Sequence, residues 1–107
     1  MIPKWVYFIL LLVVAELAAN VFAKQFALHG RLSTATFSIL GFIAANIAWL
    51  FALRTGVGIG KGFIVGAVLS GIGTVLLGVL VYHERVSSTA LIGVVLGIVA
   101  IAFLSVG

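Results

Sequence analysis

Charged residues divide the chain into four long apolar blocks: Trp5 to Ala23, interrupted only by Glu16, then Leu32 to Leu53, Gly62 to Tyr82 and Val86 to Gly107. None of them alternates strictly between apolar and polar positions, which argues against the strands of a barrel. About 20 residues of helix cross a bilayer core, and a backbone in lipid must satisfy its own hydrogen bonds. The pattern therefore predicts an all-α membrane protein: a single domain of four transmembrane helices over roughly residues 4–24, 32–53, 60–82 and 86–106. The connectors KQFALHGR, RTGVGIGK and HER are short, so consecutive helices are expected to be antiparallel neighbours.

Composition sharpens this. Of 107 residues, 64% are hydrophobic and 7% charged, too few charges for a surface that faces water. The six Lys and Arg are spread along the chain, which argues against nucleic acid as a partner and suits anchors at the edge of a membrane. Cysteine is absent, so no disulfide and no thiolate metal site can form. His29 and His83 stand in different connectors with no further ligands beside them, and neither a metal nor another cofactor is expected. No motif for nucleotide hydrolysis or nucleophilic catalysis appears, so the chain is not read as an enzyme. Lys4 ahead of an apolar run also resembles an export signal, but its removal would leave an odd three-span remnant.

With four spans, Lys4, Arg54 and Lys61 share one face of the membrane, while Lys24, Arg31 and Arg85 share the other. The positive-inside rule then sets no preferred orientation, which suggests insertion both ways.

Glu16 is the unusual residue. Counted from Trp5, it lies roughly 16 Å into the first helix, close to the middle of the hydrocarbon core. An acid there faces a bundle interior or a watery cavity, and is functional by default. Removal from water favours the protonated carboxyl, and a group that exchanges protons can exchange one for a cation. Asn20 shares its helix face at i+4 and could donate to the carboxylate. Ala15, Ala19 and Ala23 form a neighbouring stripe of small residues, suited either to a narrow cavity or to close helix packing. An ion pair for Glu16 would need Lys24 or another residue at a membrane edge.

The second block supplies Asn46 and Trp49, and the third Ser70 and Thr74, while most of the fourth is without polar side chains. Helices one to three are thus expected to line a cavity, and the fourth to pack or dimerise. Its GVVLG, Gly93 to Gly97, has the GxxxG spacing that lets backbones approach closely. In the glycine-rich third helix, Gly71-Ile-Gly73 is a candidate hinge. Glu84, beside Arg85, reads as the charge of a solvated turn, and Trp5, Tyr7 and Tyr82 as an interfacial belt. Two copies of Glu16 meeting in a dimer would titrate as a coupled pair.

Four short helices, a first helix carrying Ala15, Glu16, Ala19, Asn20 and Lys24, the SGIG of Ser70 to Gly73, and the HER turn before an apolar helix with glycines resemble the small multidrug resistance family, within the drug/metabolite transporter superfamily. The resemblance covers nearly the whole chain. It implies an antiparallel homodimer in the inner membrane that exports small organic cations in exchange for protons by alternating access. It also implies that Glu16 is the shared proton and substrate site, Ser70 a pocket residue, Gly71 and Gly73 a hinge, and Gly93 part of a dimer-forming fourth helix. The chain departs from the family at Gly66 and Leu69, where a tyrosine and a tryptophan usually face the substrate, and at Ala19, where the guanidinium-exporting branch has a tryptophan. YHERVSSTALIGVVLGIVAI also looks like small four-helix proteins of the superfamily that move lipid-linked sugars. A flippase of that kind, or a non-transporting membrane scaffold with Glu16 as an assembly contact, are the alternatives.

Overall fold

A computed structural model describes residues 2–106, apart from the side chain at position 105. Four helices follow one another: α1 (Lys4–His29), α2 (Leu32–Arg54), α3 (Ile59–Leu80) and α4 (Ser88–Val106). Among the described residues α1, α2 and α3 are long and apolar enough to cross a membrane, whereas the apolar run of α4, Ser88–Leu104, is shorter. The chain is an all-α protein of membrane type.

Helix α1 continues five residues past Lys24. Gln25, Phe26, Ala27 and Leu28 contain no breaker, and the helix stops only at Gly30, which takes a left-handed conformation (φ 67°) and donates its N–H to the Phe26 carbonyl at 2.7 Å. That is the usual αL termination, open to glycine without a Cβ penalty. Helix α2 opens straight after Arg31. Helix α3 runs unbroken through Gly71 and Gly73.

The tightest seam is between α1 and α2. Their contacts pair Phe8 with Phe51, Ala19 with Gly41 and Phe22 with Phe37, so the two helices run antiparallel. On α2 the seam is Gly41, Ala45, Ala48 and Ala52, spaced by three and four residues on one face. A Cβ added at Gly41 would lie 2.8 Å from the Cβ of Ala19 and 3.3 Å from the carbonyl oxygen of Ala15. Of the two uses open to the alanine stripe, Ala15 and Ala19 serve close packing. Lipid supplies no hydrophobic drive between helices, and small residues let the backbones gain contact instead.

Helix α3 lies along α1 in parallel. Gly66 meets Ile9 and Leu12, Gly73 meets Leu17, and Asn20 meets Thr74, each step advancing along both helices. Helix α4 packs along α3. Gly97 faces the Val68 side chain, 3.0 Å from where its Cβ would be, while Gly93 has nothing within 4 Å.

Candidate functional site

Glu16 is half-buried on α1, between two cavities. The first, about 240 Å³, is walled by Leu12, Asn46, Trp49, Phe63 and Gly66. Its aromatic wall is built by two helices. Trp49 on α2 and Phe63 on α3 meet edge to face with ring centroids 6.3 Å apart, and the indole lies over Gly62, 3.2 Å from where a Cβ would stand. Glycine at 62 is therefore what admits the indole to this wall.

The second cavity, about 530 Å³ and wide open, runs from Glu16 past Asn20, Ser70 and Thr74 to Glu84 and Arg85. Two helix faces meet beside it in register and run on toward the rim. Glu16, Asn20 and Lys24 follow at steps of four on α1, and Ser70, Thr74 and Gly78 at steps of four on α3. The Asn20 amide donates to the Thr74 hydroxyl at 3.4 Å, and that hydroxyl donates to the Ser70 carbonyl at 2.7 Å. The Ser70 hydroxyl oxygen is buried and has no hydrogen-bond partner among the described residues. Leaving a buried hydroxyl unmatched is unfavourable by about 1–3 kcal/mol.

Of the residues expected at the site, Glu16, Asn20 and Ser70 share one cavity, and Glu16 and Asn46 share the other. Gly71 borders the second cavity with open space before it, whereas Gly73 packs on Leu17, whose methyl carbon lies 2.8 Å from where its Cβ would be. Of the GxxxG pair, Gly97 is occupied within the chain and Gly93 is free.

Lys24 pairs with Glu84, not with Glu16, across 60 residues of sequence, with Nζ 3.0 Å from Oε2. Among the described residues Glu16 has no ion pair and no side-chain hydrogen bond. Glu84, expected as the charge of a solvated turn, is exposed and also folds back on α3. Its N–H donates to the Gly78 carbonyl at 2.9 Å, and its carboxylate occupies the place where a side chain at Gly78 would begin. The preceding His83 adopts φ 55°, a left-handed conformation unfavourable by about 1–2 kcal/mol for a residue with a Cβ. The ammonium of Lys24 also lies 5.6 Å from the Tyr82 ring centroid, and Gln25 donates to the Tyr82 hydroxyl at 3.3 Å. Tyr82, read as a belt residue, is one wall of this connection.

Two features escaped the sequence. The Trp49–Phe63 wall escaped because nothing along the chain ties Trp49 on α2 to Phe63 on α3. The Lys24–Glu84 pair escaped because nothing local to HER signals that the turn closes back on α1. In comparisons with known proteins, no family model, no curated protein and no solved structure matches the chain.

Proposed function

We propose that the chain is a proton-coupled exporter of small organic cations, in which Glu16 holds a proton and a cation by turns. One observation carries the reading: a half-buried carboxylate on an apolar helix borders two cavities and has no partner among the described residues, the nearest lysine on its own face being held by Glu84. An acid kept in such surroundings without a countercharge is unfavourable unless it is protonated or meets an incoming cation. The two states exclude each other, and that exclusion is the coupling.

The surroundings divide the work. Trp49 and Phe63 offer ring surfaces to a cation that carries apolar groups, each face of that kind contributing about 0.5–2 kcal/mol. Asn20, Asn46 and Ser70 hold polar groups. In this reading four helices span the inner membrane, and the working unit is an antiparallel homodimer formed through the exposed side of α4 that carries Gly93. Alternating access bends α3 at Gly71, which has room to change, while Gly73 keeps its contact with Leu17. The family resemblance supports this assignment through Glu16, Ser70 and the glycines, and no cofactor or catalytic step is involved.

The test is proton release from purified protein on adding alkyl- and arylammonium ions, beside Glu16→Gln. Release is expected from the native chain and not from the variant; equal signals from both would end the proposal.

A second reading, the flipping of an amphipathic or lipid-linked molecule, draws on one observation. The Trp49–Phe63 cavity lies between α2 and α3, which touch little, and both Asn46 and Phe63 are exposed there. Transfer of a labelled lipid between leaflets, undiminished in Glu16→Gln, would favour it.

A further inference from the structure

The polar seam between α1 and α3 ends in a closure. It starts at Glu16 and Ser70, passes the Asn20–Thr74 hydrogen bond, and finishes where Lys24 and Glu84 meet beside Gly78. Lys24 lies eight residues beyond Glu16, or about 12 Å along the axis, which brings the seam toward the end of the apolar block. A third cavity, of about 310 Å³, lies at that end and is bordered by Asn20, Lys24, Thr74, Tyr82 and Glu84. Asn20, Thr74 and Glu84 border this cavity and the one that holds Glu16 alike. The pair therefore stands at the junction of the inner cavity and the rim.

We infer that the Lys24–Glu84 ion pair is the rim gate of the Glu16 cavity, closing the α1–α3 seam when joined and opening it when parted. This deepens the transport reading and rests on it for its purpose, since the route along the α1–α3 seam between Glu16 and the water at this rim runs beside the pair.

Three observations make the connection a built one. Position 78 carries no side chain, and the space is taken by the Glu84 carboxylate. The turn is held back on α3 by the bond from the Glu84 N–H to the Gly78 carbonyl, with His83 in a left-handed conformation just before it. Lys24 and Gln25 hold the same turn from α1 through Glu84 and Tyr82. The pair is also suited to opening. The Lys24 and Glu84 side chains are 36% and 50% exposed, so water can solvate both charges as they separate, and such pairs are weak enough to break. An arriving cation competes with Lys24 for Glu84, and on leaving restores the pair.

The chain has no cysteine, so a single thiol can report on the seam. Ser70→Cys places one at the buried inner end. Its rate of modification by a trimethylammonium-ethyl thiosulfonate is measured in lipid nanodiscs, where reagent reaches both faces, alone and combined with Glu84→Gln or Lys24→Met. Glu84→Gln removes a charge that attracts the reagent, and Lys24→Met one that repels it, so local electrostatics alone would shift the two rates in opposite directions. A gate predicts that both rise, by about threefold or more for a part-exposed pair. The exchange Lys24→Glu with Glu84→Lys should bring the rate back toward that of Ser70→Cys alone. Unchanged rates, shifts of opposite sign, or a well-folded exchange variant that stays as fast as the single ones would overturn the gate. Cation-stimulated proton release, measured beside these rates on chains with the native Ser70, separates the two ideas. Gated access together with release that does not depend on Glu16 would leave the rim closure standing and remove the transport reading.

Discussion

Helix α1 has two sides that are built in opposite ways. Toward α2 it is dry and close: Ala19 and Ala52 are fully buried, and Gly41 sits so near Ala19 that a methyl group has no place. Toward α3 it is loose and polar, with Asn20, Lys24, Thr74 and a Ser70 hydroxyl that has no partner among the described residues along cavities that open to the outside. Glu16 belongs to the second side. A pair of helices locked by small residues gives a fixed reference, against which a helix attached through glycines, holes and a breakable ion pair can move. The α1–α2 pair is the frame and α3 the working part.

The comparison breaks most readily at Gly41. Gly41→Leu would force apart backbones that already touch, an overpacking worth about 1–3 kcal/mol or more in a well-packed interface, and should lower the thermal midpoint by several degrees. By contrast, a methyl at Gly71 meets open space, so Gly71→Ala should leave the midpoint almost unmoved. A large loss at Gly71 and none at Gly41, read by thermal unfolding in detergent, would reverse the assignment of frame and working part.

A smaller effect is expected at the aromatic wall. Trp49→Leu removes a ring that borders the Glu16 cavity, and a lost cation–π contact of about 0.5–2 kcal/mol corresponds to roughly two- to thirtyfold in affinity. Arylammonium binding, followed by calorimetry, should weaken by an amount in that range while ammonium ions without large apolar groups change less. Equal losses for both would show that the indole only supports α2.

Much of this was legible from the pattern of residues. Four apolar runs cannot avoid becoming helices in lipid, and the acid at position 16 announced itself by being alone. Asn20, Asn46 and Ser70 were legible for the same reason: polar groups within apolar helices are few, and they tend to face one another. Helix rotation was not legible. These helices are apolar on all sides, so no stripe marks which face meets which neighbour, and the meeting of Trp49 with Phe63 follows only once α2 and α3 have settled on their glycines and alanines. Neither could HER be read as more than a turn, because Glu84 finds its partner 60 residues away and its place at Gly78 through the backbone of His83. Helix α1 outruns its apolar block for a related reason: the charge at Lys24 ends the apolar run without ending the helix.

The account depends on Glu16 changing its protonation in response to a cation. The direct measurement is the carbon-13 resonance of the Glu16 side-chain carboxyl in lipid bilayers, followed across pH without and with an arylammonium ion. The account predicts that the cation moves the protonation midpoint to lower pH, because a bound positive charge favours the carboxylate. A midpoint that stays in place at saturating cation, or a carboxyl that never changes state over the biological range, would contradict it.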